Sequence, residues 1–142
     1  MKSNISKNTI AIRSALESDK QYGAVIPPVH LTTTFAYKQI GVEQHYDYSR
    51  SANPTRDALA AAVSVLEGGY GATVTSSGMA AITLITALLS PNDYVIAPHD
   101  CYGGTFRLFS RLAERGLLRV KYVDQSDLGL LQQVTNQYQP KI

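Results

Sequence analysis

The feature that most constrains this chain is a change of rhythm at Asn53. From there onward, short apolar runs alternate with amphipathic segments, and glycine or proline marks the joins. Leu59, Val63 and Leu66 recur at helical spacing before Gly68-Gly69, a stop signal. Ala72-Thr75 reads as a short buried strand. Ser76-Ser77-Gly78 follows, then a helix with Ile82, Ile85 and Leu89 on one face, closed by Pro91. Tyr94-Ala97 reads as a second strand. Gly103-Gly104 precedes a helix carrying Phe106, Phe109 and Leu112, which ends at Gly116. Leu118, Val120 and Tyr122 alternate as a third strand. Asp127 is placed to cap a last helix with Leu131, Val134 and Tyr138 inward. The order β-α-β-α-β-α predicts an α/β domain with a mostly parallel sheet over residues 55–142. Pro140-Lys141-Ile142 reads as the approach to a further strand, so the domain is expected to be incomplete as it stands, with a sheet edge uncovered.

Residues 1–54 lack that rhythm. Polar and turn residues dominate, Pro27-Pro28 forbids a helix there, and only short extended pieces such as Leu31-Thr34 are expected. So long a stretch with little structure of its own is unusual in a compact domain. It is expected to be an arm that orders against a neighbouring subunit.

Composition narrows the function classes. Hydrophobic residues make up 44% of the 142 and charged residues 17%, which suits a packed core and argues against disorder by charge. The formal net charge is only +2 and no Lys/Arg run forms a stripe, so a nucleic-acid partner has little electrostatic support. A single cysteine, Cys101, allows no intrachain disulfide and fits a reducing compartment. Residues 1–10 have no apolar core segment to serve as a secretory signal, and no apolar run is long enough for a bilayer. A cytoplasmic setting is expected. His30 and His45 have no metal-ligand spacing with acids or cysteine, so no metal site is expected.

Three segments carry candidate chemistry. Thr75-Ser76-Ser77-Gly78-Met79-Ala80 joins a strand to a helix, and unpaired N–H groups at a helix start suit a phosphate. An ordinary N-cap explains the same residues. It is not a Walker motif, because no lysine follows the glycine. Tyr46-Asp47-Tyr48-Ser49-Arg50-Ser51-Ala52-Asn53-Pro54-Thr55-Arg56 places two arginines and two tyrosines near an Asn-Pro turn. Arginine suits bidentate phosphate or carboxylate binding, and a solvated loop with locally packed tyrosines is the alternative. Pro98-His99-Asp100-Cys101-Tyr102-Gly103-Gly104-Thr105-Phe106-Arg107 follows the carboxyl end of a strand, where open α/β sheets bind ligands. An aromatic there can stack on a flat ring. Equally, His99 and Asp100 pair with each other or cap the helix, and Cys101 is a small buried filler.

Taken together and in this order, Tyr48-Ser-Arg50-x-x-Asn53-Pro54-Thr55-Arg56, Ser77-Gly78-Met79-Ala80-Ala81-Ile82 and Ala97-Pro98-His99-Asp100-Cys101-Tyr102-Gly103-Gly104-Thr105 resemble the Cys/Met-metabolism family of pyridoxal-phosphate enzymes. Gln21-Tyr22-Gly23-Ala24-Val25-Ile26-Pro27-Pro28-Val29-His30-Leu31 resembles that family's N-terminal arm, and Val123-Asp124-Gln125 fits downstream. The resemblance covers nearly the whole chain. It implies the first part of a type I pyridoxal-phosphate transferase large domain, preceded by the arm.

The resemblance also implies roles. Gly78 and Met79 give backbone N–H groups to the phosphate of pyridoxal 5'-phosphate. Tyr102 stacks on the pyridine ring, and its phenol assists proton transfer if it lies near the substrate amino group. Tyr48 and Arg50 reach the phosphate of the neighbouring subunit's cofactor, and Arg107 contacts substrate. The implied reaction joins an activated homoserine ester to cysteine by gamma-replacement, as in methionine biosynthesis, in a homotetramer built from dimers. Gamma-lyase and homoserine-sulfhydrylase branches remain open, as does a non-catalytic phosphate-binding or interaction module. The family's cofactor-holding lysine lies in a Ser-x-Thr-Lys context. None of Lys2, Lys7, Lys20, Lys38, Lys121 and Lys141 has it, so the chain alone is expected to be inactive.

Overall fold

The structure, a computed structural model, describes residues 5–16 and 18–142. It falls into two compact units, Met1–Val74 and Thr75–Ile142.

In the first unit, helix α1 (Lys7–Arg13) and helix α2 (Pro54–Glu67) pack on each other. A helix in the arm is a departure from the expected lack of structure. Its cause is local: Ser6 caps it, accepting from the Thr9 N–H at 3.2 Å. The face of α2 that meets α1 is lined by Ala58, Ala61, Ala62 and Val65, small enough to admit Ile10. Helix α2 starts and stops where its sequence directs. Asn53 Oδ1 accepts from Thr55 N at 2.9 Å, Pro54 takes the first turn, and Gly68 closes it in the left-handed region at φ 67°. The Leu59–Val63–Leu66 stripe that sets the helical spacing is not the packing face: Leu59 is 52% and Val63 42% exposed. Around Leu31-Thr34 the expected extended piece forms an antiparallel bridge, Thr34 to Tyr48. Flanking bonds run from Ser49 N to Thr33 O at 2.8 Å and from Phe35 N to Asp47 O at 2.8 Å.

The second unit holds α3 (Gly78–Thr86), β1 (Tyr94–Pro98), α4 (Gly103–Glu114), β2 (Arg119–Val123) and α5 (Leu128–Tyr138). Strands β1 and β2 pair in parallel, Tyr94 opposite Arg119 through Pro98 opposite Val123, with α4 as the crossover. Lys141 N donates to Tyr94 O at 2.8 Å and Ile96 N donates to Ile142 O at 2.9 Å, so the last residues run beside β1 on the edge away from β2. Ala72-Thr75, expected as a strand, joins no ladder among the described residues. Its sequence suits extension, but a strand is only a strand when a neighbour takes its hydrogen bonds.

The core follows from strand alternation. Val95 and Ala97, two residues apart on β1, are each 2% exposed and pack with Phe109 of α4 and with Leu118. Helix α4 buries Thr105 and Phe109, with Leu112 half-buried beside them. Phe106, grouped by sequence with Phe109 and Leu112, is 47% exposed and sets its ring 4.8 Å from that of Tyr122. The reason is pitch: positions 105, 109 and 112 keep to the 3.6-residue repeat better than 106, 109 and 112. Asp127 caps α5 as expected, accepting from Leu130 N at 2.9 Å.

Candidate cofactor site

The strongest candidate site in the second unit lies where α3 and α4 begin. Ser77 is the N-cap of α3: its Oγ accepts from Ala80 N at 3.1 Å and its carbonyl accepts from Ala81 N at 3.0 Å. Thr75 Oγ1 donates to Ser77 O at 2.9 Å and steadies the turn. The cap satisfies those donors and leaves the N–H groups of Gly78 and Met79 without an acceptor among the described residues. Space is open beside them, since a Cβ built on Gly78 meets nothing within 4 Å. The N-cap and phosphate readings are therefore compatible: the cap organises the turn, and the two remaining donors at the positive helix end suit an anion.

Met79 ties this turn to α4. The buried Thr105 hydroxyl donates to Met79 Sδ at 3.8 Å. The same sulfur would stand 3.1 Å from a Cβ on Gly104. Tyr102 occupies the N-cap position of α4 without a side-chain cap bond and is 72% exposed. Its ring lies against Gly104. Arg107 is exposed, and its guanidinium reaches back to the first residue of α4, where a Cβ on Gly103 would be 3.4 Å from Nη1. Sequence reasoning placed Gly104 and Thr105 in the candidate segment but gave neither a role of its own. The signal was available: a small hydroxyl residue after two glycines, at the helical position that must face the core.

His99 and Asp100 neither pair nor cap α4. His99 N donates to Val123 O at 2.9 Å, extending the ladder past β1. The Asp124 carboxyl is held below its ordinary value. The main cause is the Ser126 hydroxyl at 2.6 Å, then the Ser126 N–H, with a lesser pull from His99. Lys121 sets its ammonium 4.6 Å from the centre of the Tyr138 ring, turned to α5.

In the first unit the two arginines of the Asn-Pro segment separate. Arg56 donates from Nη1 to Ser49 O at 2.8 Å and from Nη2 to Ser51 O at 2.9 Å, holding the loop from inside. Arg50 donates to the Tyr48 hydroxyl at 2.9 Å, with its guanidinium carbon 5.4 Å from the Tyr48 ring centre. It forms no ion pair among the described residues. Arg50 and Tyr48 thus make one exposed donor pair, while Arg56 is structural. Nearby, burial and then the Asp57 carboxylate push the Tyr46 phenol above its ordinary value. His45 pairs with the same carboxylate at 3.2 Å. Among the described residues no three His, Cys, Asp or Glu side chains are grouped to hold a metal ion. No described helix is long and apolar enough to cross a membrane.

A helix start with two free N–H groups, joined through Met79 to the start of α4 where an exposed tyrosine stands, is an arrangement in an α/β unit that suits a phosphate-bearing ligand. The Cys/Met metabolism PLP-dependent enzyme family matches residues 8–142, and the chain belongs to that family. The family's cofactor is pyridoxal phosphate, and the free N–H groups and open space at Gly78 fit its phosphate. The cystathionine gamma-synthase of Escherichia coli strain K12 is 52% identical over 120 residues, 84% of this chain and 31% of that protein. The cystathionine gamma-lyase of Bacillus subtilis strain 168 is 39% identical over 120 residues, 84% of this chain and 32% of its own. Among solved structures, cystathionine gamma synthase from Xanthomonas oryzae pv. oryzae, in complex with aminoacrylate and cysteine, superposes with a TM-score of 0.88 at 41% identity, over 96% of this chain and 35% of that one. The fold is thus the first part of a type I pyridoxal-phosphate enzyme domain. The chain spans about a third of the length of the relatives it matches.

Proposed function

We propose that these residues belong to an enzyme that joins an activated homoserine ester to cysteine by gamma-replacement, a cystathionine gamma-synthase activity in methionine biosynthesis in the cytoplasm. The observation that carries the cofactor role is the pair of free N–H groups on Gly78 and Met79 at the start of α3. Replacement is favoured over elimination by the 52% identity to a gamma-synthase against 39–43% to gamma- and beta-lyases. In this reading Gly78 and Met79 hold the phosphate. Tyr102 covers the ring with a flat apolar face and keeps water from it, and its phenol handles a proton near the substrate amino group. Arg107 receives the substrate. When bound, the cofactor supplies an electron sink for carbanions on the amino-acid substrate.

Residues 1–54 act as an arm on a neighbouring subunit, and residues 55–142 as the cofactor-binding part, within a homotetramer built from dimers. The reading is supported by an Arg50–Tyr48 donor pair with no anion of its own and by apolar side chains laid open along the arm, such as Leu31 at 93% and Ile40 at 97% exposed. No lysine here has the Ser-x-Thr-Lys setting, so residues 1–142 alone are proposed to bind cofactor without a covalent bond to lysine and without turnover.

The test supplies the full-length protein with O-succinylhomoserine and cysteine, and separately with cystathionine. Thioether formation is expected to exceed thioether cleavage. Preferential cleavage would move the protein to the lyase reading, which the 39% identical gamma-lyase represents.

A further inference from the structure

A Cβ built on Gly104 would stand 2.6 Å from Tyr102 Cε1, 3.1 Å from Tyr102 Cδ1 and 3.1 Å from Met79 Sδ. Real Cβ atoms do not approach carbon at 2.6 Å, so the ring lies where it does because position 104 has no side chain. Gly103, in the same helical turn, gives a contrast: its added Cβ would meet only the end of the flexible Arg107 side chain, at 3.4 Å. The two glycines read alike in the sequence and differ in what they permit.

We propose that Gly104 is a positioning residue: its bare backbone seats the Tyr102 ring against the start of α4, and its close approach to Met79 sets that ring beside the N–H groups of Gly78 and Met79. The inference rests on the reading that Tyr102 stacks on the pyridine ring of pyridoxal phosphate. Three observations make it separable from a folding role. Tyr102 is 72% exposed, so its ring has solvent to swing into. The Tyr102 side chain makes no cap bond to α4, so its departure breaks no helix contact of that kind. Alanine is a better helix former than glycine, so the substitution favours α4 itself. A methyl at position 104 therefore leaves the fold and moves the ring. Met79 shifts as well, but its backbone N–H stays in α3.

The experiment uses the full-length protein, with selectively isotope-labelled tyrosine and amide NMR. In the wild-type chain, and in Gly103→Ala, nuclear Overhauser contacts are expected between Tyr102 ring protons and residue 104. In Gly104→Ala they are expected to vanish, with far-UV circular dichroism and Tm retained. Titration with pyridoxal phosphate, followed at the Gly78 and Met79 amides, is expected to weaken roughly 3- to 10-fold in Gly104→Ala and in Tyr102→Leu, the range of one aromatic stack. Titration with inorganic phosphate is expected to be unchanged in both. Absence of the ring contacts in the wild type, or their survival in Gly104→Ala, overturns the proposal, and the wild-type measurement decides even if the variant does not fold. Wild-type affinity in Gly104→Ala, with weakened affinity in Tyr102→Leu, overturns it too. Unweakened pyridoxal phosphate binding in Tyr102→Leu instead refutes the stacking reading on which the proposal rests.

Discussion

Arg50 and Arg56 lie six residues apart and have the same chemistry, yet removing each should have very unequal consequences. Arg56→Ala deletes two short bonds, to Ser49 O at 2.8 Å and to Ser51 O at 2.9 Å. Hydrogen bonds from a charged donor contribute about 1.5–3 kcal/mol when well shielded. Ser51 is exposed, so roughly 1 kcal/mol each, about 2 kcal/mol together, is the fair figure after solvent competition. The backbone N–H groups of residues 51 and 52 are otherwise held only locally, from Ser51 N to Tyr48 O at 2.9 Å and from Ala52 N to Tyr48 O at 3.1 Å. A loss of about 2 kcal/mol there should speed exchange of these two amides about 30-fold. Arg50→Ala removes only an exposed contact to Tyr48, worth a few tenths of a kcal/mol, and should change the same rates by no more than about twofold. Arg56→Lys should fall between, since an ammonium cannot span both carbonyls as a planar fork does. Native-state hydrogen exchange reads all three variants. Equal rates in Arg56→Ala and wild type, or equal acceleration by both alanine variants, would refute the division of labour.

Three further outcomes are expected. Asp19 accepts from the N–H groups of Tyr22, Ala24 and Gln21, which hold its carboxyl below the ordinary value. Its support of the 19–24 turn should be complete above the ordinary carboxylate value and lost as pH falls through the lowered one, read by the Tyr22 and Ala24 amide shifts. A midpoint at or above the ordinary carboxylate value would contradict this. In the full-length protein, mixing Arg50→Ala subunits with subunits lacking only the cofactor-holding lysine should restore activity in hybrid dimers; verified hybrids with none would argue against an arm acting in trans. Finally, this chain expressed alone should self-associate, because Val25, Ile26, Val29 and Leu31 are each at least 69% exposed and contiguous apolar surface seeks cover. A monodisperse monomer by size-exclusion chromatography, with slow amides across Tyr94–Ala97, would show that the chain folds by itself.

What the sequence displayed best was punctuation. Asn53, Gly68, Ser77 and Asp127 start or stop helices through bonds to neighbours two to four residues away, and such bonds can be read locally. What it hid was anything decided by a distant partner. Ala72-Thr75 has strand composition but no described neighbour to pair with. The apolar stripe Leu59–Val63–Leu66 suggested the buried face of α2, while the alanines beside it are what α1 packs against. Phe106 outranks Thr105 in hydrophobicity, yet helix pitch puts the threonine inside, where its hydroxyl reaches the Met79 sulfur. The candidate site shows the same limit. Ser77-Gly78 is legible as a helix start, whereas the contact between Met79 and the beginning of α4 joins positions 26 residues apart and exists only in the folded unit.

On the proposed reading, charge balance gives a reason for a neighbouring subunit's arm to contribute to this site. The turn Thr75-Ser76-Ser77-Gly78-Met79-Ala80 contains no titratable side chain, so all it offers an anion is neutral dipoles. A phosphate monoester near pH 7 carries close to two negative charges. Two N–H groups and half a unit of helix-end charge leave much of that uncompensated. Arg107, on α4, is the first arginine or lysine that follows the turn along the chain, but on the reading given above it is committed to substrate. Arg50 is the better candidate for the balance. Its guanidinium is always ionised, makes no ion pair among the described residues, and is held by a tyrosine hydroxyl and ring rather than by an acid that would cancel it. Arg56, with its donors spent on carbonyls, cannot take its place. A neutral turn with an unpaired arginine elsewhere in the chain is the arrangement expected if phosphate affinity depends on assembly, because neither part then binds the dianion tightly by itself.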